Sequence, residues 1–217
     1  MPVLLGQKLW FPDADTADEH GMVAFGGDLS PERLLLAYRN GIFPWSVNPI
    51  TWWSPDPRGV LPLESFHVSA SLAKFLRRCP YEVTINKAFR EVMTACAAPG
   101  PRRSGAWITA EFIAAYTRLH ELGHAHSVEC WQDDKLVGGI YGVAVGGLFA
   151  GESMFHRADN ASKVAIWHLV EHLKARGFGL FDIQMVTAAT KPLGAVEISR
   201  TEYLGRLFKA VEQRCIF

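Results

Sequence analysis

Between Ala125 and Phe155 one pattern occurs three times in a row: an apolar run that ends in a tight turn or a loop. AHSVECW meets a polar turn at Gln132-Asp133-Asp134, KLVGGIYGVAV follows, and Gly146-Gly147 leads into LFAGESMF. Runs of this length, rich in β-branched and aromatic residues and separated by two or three turn residues, predict a three-stranded antiparallel meander. A meander of this kind has apolar faces that must be covered. The sequence on either side supplies the cover.

Upstream, SASLAKFLRR places Leu72, Phe75 and Leu76 on one helical face, and Pro80 ends the run. YEVTI reads as a strand. Asn86 is placed to cap a helix with Phe89, Val92, Met93 and Cys96 on its apolar side. Thr109 is placed to cap AEFIAAYTRLHEL, which stops at Gly123. Downstream come a helix over 161–176 ending at Gly177, a strand GLFDIQ, and a last helix TEYLGRLFKAVE. The class is α+β with a mostly antiparallel central sheet. This order resembles the acetyltransferase-like (GNAT-like) fold. In acetyltransferases of that fold a glycine-rich turn after the meander offers backbone N–H groups to a pyrophosphate. The equivalent turn here, HRADNASK, has no glycine, so a coenzyme A cradle is not expected.

The first 60 residues differ in character. They hold seven of the twelve prolines, together with Trp10, Trp45, Trp52 and Trp53. One helix stands out, with Ser30 as N-cap, Pro31 at its first position, then ERLLLAYRN and Gly41. The rest is turn-rich, so residues 1–62 are expected to form a small loop-heavy domain and residues 63–217 a larger catalytic one.

Hydrophobic residues make up 49% of the chain and charged residues 20%, which is ordinary for a folded protein with a real core. Formal net charge is zero, so a nucleic-acid site has to be a local patch. Cys79, Cys96, Cys130 and Cys215 form no C-x-x-C pair and match no zinc spacing. Reduced thiols in a cytoplasmic protein are the expectation. No signal-peptide pattern and no run of about 18 apolar residues is found, so no membrane segment is expected.

Four groups of side chains carry candidate chemistry. His120-Glu121-Leu122-Gly123-His124 matches H-E-x-x-H, but the helix is expected to stop at Gly123, and Ser127 and Cys130 stand where a metzincin needs Gly and His. The competing reading is two histidines at a helix C-terminus, where the dipole favours them. Glu152 in GESMF lies on an apolar strand, where a carboxylate is costly unless paired or useful. Asp182 and Gln184 alternate in LFDIQMV and should share one strand face, where they either serve a reacting amine or satisfy loop backbone. Lys74, Arg77 and Arg78 are spaced to share a helix face, with Arg102 and Arg103 in a later loop. They form either a solvated face or a track for phosphates.

Taken in order, GMVAFGGDLSPERLLLAYRNGIFPW, WWSPDPRGVL, GAWITAEFIAAYTRLHELGHAHSVE, GGIYGV, GESMF, NASK, DIQ and LGAVEI resemble the leucyl/phenylalanyl-tRNA–protein transferase family, from about Phe11 to Tyr203. The LHELGHAHS string is part of that family's pattern and is not a metal site there. The resemblance implies a two-domain bacterial enzyme, monomeric, using no coenzyme A, metal, ATP or other cofactor. Its partners would be Leu-tRNA and Phe-tRNA, with Met-tRNA less favoured, and acceptor proteins beginning with Arg or Lys. The product would be an N-end rule degradation signal. The alternative is a catalytically inactive RNA- or peptide-binding module on the same fold.

The resemblance also implies roles. Asp182, Gln184 and Glu152 are the catalytic candidates, with Glu152 helping to place the incoming basic N-terminus. Met154, Ile166, Leu169 and Leu173 form the pocket for the amino-acid side chain. Trp45, Trp107, Tyr38 and Tyr116 attend the terminal adenosine and the tRNA, with Lys74, Arg77 and Arg78 as the basic patch. The run MVTAATKPLGA after DIQ, and Ser199 in EISR, depart from the family pattern in the loop beside the proposed site. An aminoacyl ester is already activated, so such an enzyme has chiefly to position an amine and move a proton.

Overall fold

A computed structural model of the chain describes residues 1–98 and 108–217. The elements in chain order are β1 (Val3–Leu5), β2 (Met22–Gly26), α1 (Pro31–Arg39), β3 (Phe43–Val47), β4 (Ile50–Trp53), β5 (Arg58–Val60), α2 (Ala70–Leu76), β6 (Glu82–Ile85), α3 (Phe89–Ala97), α4 (Ala110–Glu121), β7 (Ala125–Gln132), β8 (Lys135–Val145), β9 (Leu148–His156), α5 (Ala161–Ala175), β10 (Leu180–Gln184), β11 (Val196–Ile198) and α6 (Arg200–Val211). The protein is α+β. No helix among the described residues is long and apolar enough to cross a membrane.

The meander is present as β7-β8-β9, fully antiparallel, and its two turns fall where Asp133-Asp134 and Gly146-Gly147 place them. It sits inside a seven-stranded sheet of order β11-β5-β10-β9-β8-β7-β6, in which β10 runs parallel to β9 and every other pair is antiparallel. Meander, helix α5, then a parallel strand β10 is the succession expected of an acetyltransferase-like fold.

Alternation along the strands sends side chains to two cores. Tyr141, Val143, Ala150 and Leu180 join the cluster that includes α3 and α4 residues such as Val92, Phe112 and Tyr116. Ile140, Phe149 and Phe181 join Val164, Leu169 and Leu173 of α5 on the other side. Helices thus cover both faces of the sheet.

The first 60 residues are more ordered than a loop-heavy reading allows. They contain a four-stranded sheet of order β1-β2-β4-β3. Its strands are three to five residues long, and β3 carries Pro44. Proline is tolerated there because β3 is an edge strand, with a register irregularity between Pro44 and Ser46. Short strands with proline show little alternation, so their sequence resembles loop. β5, from the same proline-rich stretch, belongs to the larger sheet. One hydrophobic cluster runs from Leu5 and Trp52 to Val143 and Leu207.

Ser30 and Thr109 cap α1 and α4 as their positions suggest, accepting from the amides of Arg33 at 3.4 Å and Phe112 at 3.5 Å. Asn86 does not cap α3. It takes a left-handed conformation with φ of 60°, accepts from the Ser127 amide at 3.0 Å and meets His126 Nδ1 at 3.0 Å. The helix begins after Ala88, and the buried Glu129 on β7 takes the amides of Lys87 and Ala88. A carboxylate from a neighbouring strand thus does what a local cap would do, and no local spacing reveals it.

The N-terminal turn of α5 lies directly on β8 at Gly138. A Cβ there would come within 2.5 Å of the Ala161 Cβ and 2.8 Å of its carbonyl carbon. Gly138→Ala is expected to cost about 1–3 kcal/mol by overpacking. Urea unfolding at constant slope is the check, and an unchanged midpoint would mean α5 can move away freely.

Candidate active site at the bulges of β9 and β10

Two strand irregularities bring the candidate residues together. Along β8-β9, Tyr141 pairs with Ser153 but Gly142 pairs with Gly151, so Glu152 has no partner opposite it. Along β10-β5, Asp182 pairs with Val60 and Gln184 with Gly59, which leaves Ile183 as the extra residue. Bulges re-aim side chains, and here both turn polar groups into one space. Gln184 has φ of 58°, a left-handed conformation that costs an ordinary residue about 1–3 kcal/mol. The close approach needs glycine at position 59, because a Cβ there would lie 2.6 Å from the Met185 carbonyl carbon.

Asp182 is 1% exposed, and both of its oxygens are taken. Arg58 Nε donates to Oδ1 at 2.9 Å, and Arg58 Nη2 to Oδ2 at 2.7 Å. The Tyr203 hydroxyl donates to Oδ2 at 2.8 Å and the Gln184 amide to Oδ1 at 2.9 Å. The Arg58 guanidinium, equally buried, stands 4.8 Å from the Phe43 ring centre and 4.3 Å from that of Tyr203. Its Nη1 donates to the Gly41 carbonyl at 3.0 Å. Burial opposes the guanidinium charge, but the Asp182 carboxylate overrides it and holds the proton more firmly than usual. Four donors on two oxygens leave Asp182 no lone pair aimed at a substrate. Of the ways Asp182 could serve a reacting amine, direct contact is the one these surroundings leave no room for. Gln184 is the member of the pair whose side chain reaches Glu152.

Glu152 has the opposite surroundings. Its Oε1 accepts from the Tyr38 hydroxyl at 2.8 Å and from Gln184 Nε2 at 3.2 Å, and no described residue donates to Oε2. The Tyr38 and Tyr116 hydroxyls are 2.5 Å apart, so a chain of hydroxyls from α1 and α4 ends on this carboxyl. Burial pushes Glu152 up to about 8, the Tyr38 hydrogen bond pulls it down, and the Asp182 charge pushes it up again. Burial raises Tyr38 and Tyr116 well above the usual tyrosine range, and the Glu152 charge adds to it, so both remain O–H donors. Each tyrosine is 1% exposed. Their rings are enclosed and offer no stacking face, and their hydroxyls lead to Glu152.

Ile166, Leu169 and Leu173 lie on one face of α5 and are buried together, with Phe181 beside them and Met154 packed at the edge. The group is wholly apolar, as a side-chain cup requires, and here it forms a filled core. Trp45 is 40% exposed on β3, with ring centres 6.0 Å from Phe43 and 6.5 Å from Trp53. Trp107, Arg102 and Arg103 lie outside the described residues. Lys74 is on the last turn of α2, but the helix ends at Leu76, so Arg77 is its C-cap and Arg78 lies beyond. All three are exposed. The H-E-x-x-H spacing does not lie on one helix, since α4 ends at Glu121 and Gly123 has φ of 80°. His120 Nδ1 is 2.8 Å from the Ala125 carbonyl, and its ring stacks on Phe89 at 4.4 Å. No group of three or more His, Cys, Asp or Glu among the described residues could hold a metal ion.

Arg58 and Tyr203 went unassigned from sequence. The available signal was an arginine inside a short apolar strand run, RGVL, which demands a buried acid somewhere else in the chain.

Comparison with known proteins places the whole chain. The sequence model described as leucyl/phenylalanyl-tRNA protein transferase matches residues 60–208, and that of its N-terminal domain matches residues 27–56. The chain belongs to the leucyl/phenylalanyl-tRNA–protein transferase family. A protein of that name from Pseudoalteromonas atlantica is 53% identical over 212 residues, covering 96% of this chain and 91% of the relative. One from Tolumonas auensis is 50% identical over 213 residues, with the same coverage of 96% and 91%. Among solved structures, a ribosomal-protein-alanine N-acetyltransferase from Brucella melitensis biovar Abortus 2308 aligns with a TM-score of 0.35 and 16% identity, over 52% of this chain and 84% of that one. Tyr116, Glu152, Asp182, Gln184 and Tyr203 fall in the 60–208 match, Tyr38 and Gly41 in the 27–56 match, and Arg58 between the two.

Asp182→Ala would leave the Arg58 guanidinium buried without its counter-charge. A loss of about 3–5 kcal/mol is expected in chemical denaturation. A loss below about 1 kcal/mol would mean that water or another group takes over the role of the carboxylate.

Proposed function

We propose that this chain moves Leu or Phe, and less readily Met, from the 3′ end of aminoacyl-tRNA to the α-amine of an acceptor protein beginning with Arg or Lys. It acts as a cytoplasmic monomer, and the product carries a new N-terminal residue that marks it for degradation by the N-end rule. Family membership is the observation that supports the reaction. The geometry around Glu152 supports how it proceeds.

In this reading the acceptor amine approaches Glu152 Oε2, and the Gln184 amide and Tyr38 hydroxyl hold Oε1. The amine nitrogen attacks the ester carbonyl, a C–N bond forms, and the amine proton passes to Glu152. The C–O bond to the ribose then breaks, and the departing oxygen takes the proton from Glu152, so the carboxylate is regenerated. The second Gln184 N–H has no partner among the described residues and is available to the oxyanion that develops on the carbonyl. Trp45 serves the terminal adenosine by stacking, and the exposed Lys74, Arg77 and Arg78 follow tRNA phosphates.

Below about 8 the Glu152 carboxyl holds its own proton and cannot accept another. Transfer of labelled Leu from Leu-tRNA to a protein starting with Arg should therefore rise as pH climbs toward 8. The acceptor amine, with a pKa of about 7.7–8.0, adds a rise of its own. Glu152→Gln separates the two, because only the amine's rise survives in it. The variant is expected to be slower by about 100-fold or more. Wild-type speed in Glu152→Gln would remove Glu152 from proton transfer. Binding of Leu-tRNA with no transfer by the wild type would favour the inactive binding module.

In the same reading Met154, Ile166, Leu169 and Leu173, packed as core in the free chain, part to take the amino-acid side chain. Leu169→Phe narrows that pocket from the helix side and should lower Phe transfer relative to Leu by about tenfold. A competition between Phe-tRNA and Leu-tRNA on one acceptor measures the ratio, and an unaltered ratio in a folded, active variant would place the pocket elsewhere.

A further inference from the structure

Glu152 receives its two hydrogen bonds from separate parts of the chain, and both parts lead back to one side chain. Tyr38 comes from α1, three residues before Gly41, whose carbonyl accepts from Arg58 Nη1 at 3.0 Å. Gln184 comes from the end of β10. Its left-handed backbone is held by an N–H bond to Asp182, and Asp182 is gripped by the other two nitrogens of Arg58. Tyr203 of α6 closes the arrangement, accepting from Arg58 Nη2 at 3.2 Å while donating to Asp182. All three guanidinium nitrogens are therefore engaged, in the planar fork that an ammonium group cannot reproduce.

We infer that Arg58 is a positioning residue for the transfer reaction, aligning both donors to Glu152 at once: Tyr38 through the Gly41 carbonyl and Gln184 through Asp182. This rests on the assignment of Glu152 as the proton-accepting group. A buried guanidinium is not needed to hold strands β5 and β10 together, since backbone pairing and the apolar residues Val60 and Leu61 already do so. Replacing a buried ion pair by apolar residues of similar size is often neutral for stability. What the pair supplies that an apolar pair cannot is an acceptor for the Gln184 amide and a donor for the Gly41 carbonyl.

The test uses the full-length protein with Leu-tRNA and an acceptor starting with Arg, comparing wild type, Arg58→Lys and the double variant Arg58→Met with Asp182→Leu. Chemical denaturation gives the folded fraction of each, and rates are expressed per folded molecule. Displacement of a reacting group by about 1 Å costs on the order of 100-fold in rate. Both variants should therefore lose about 100-fold in kcat, while KM for Leu-tRNA stays within about threefold, because the tRNA-contacting surface is untouched. The inference is overturned if either variant, folded, keeps kcat within about threefold of wild type. It is equally overturned if KM for Leu-tRNA rises as much as kcat falls, since that is the signature of general disruption. Failure of the functional reading has a different signature: wild-type protein would transfer no label, or Glu152→Gln would match wild type, whatever the Arg58 variants do.

Discussion

A guanidinium and a carboxylate, both almost wholly removed from water, sit where β5, β10, α6 and the end of α1 meet. Taking two such charges out of water costs several kcal/mol each, and close opposition recovers that only when the remaining hydrogen-bonding capacity is also filled. Here it is filled. Asp182 accepts four donors, and Arg58 reaches a carboxylate, a carbonyl and a phenol between two aromatic rings. This geometry fixes the angle at which β10 ends, and with it the unusual backbone of Gln184. The segment before β5 and the last helix are tied to the catalytic sheet by the same contacts.

The two carboxylates of the site are thereby set apart. Asp182 is anchored, while Glu152 has one oxygen supported by neutral donors and no cation in contact. Burial without a cation favours the protonated form, so Glu152 is poised near neutrality, where a group can both take and return a proton. Separating neighbouring acids by environment is a general way for one site to hold an anchor and a proton carrier together. The hydroxyls of Tyr38 and Tyr116 extend the network into the core and keep the carboxyl in place without neutralising it.

Much of the fold was legible because the longest strands and helices carry their own punctuation. The meander, α4 and α5 follow from turn residues and apolar spacing that act within a few residues. The short strands of the first 60 residues were not legible, since Pro44 and three-residue runs give no periodicity and their pairing is decided by the partner strand. The capping of α3 by Glu129 was hidden for the same reason, being made across about 40 residues of sequence. At the site, Asp182, Gln184 and Glu152 could be picked out as polar residues on apolar strands. Which one is anchored could not, because it depends on Arg58, 124 residues away from Asp182 in the chain. The bulges that turn Glu152 and Gln184 toward each other likewise exist only in the paired sheet. The burial of the Tyr38 and Tyr116 rings was equally hidden, since family likeness places a residue without saying which way its ring faces.

The central claim is that Glu152, and not Asp182, carries the mobile proton, and its titration tests that most directly. Carbon-detected NMR on protein labelled at the glutamate side-chain carboxyl follows each glutamate through the pH range. One signal is expected to titrate near 8 and to vanish in Glu152→Gln. If no glutamate signal titrates near 8, or one does and it persists in Glu152→Gln, the account of the site is contradicted.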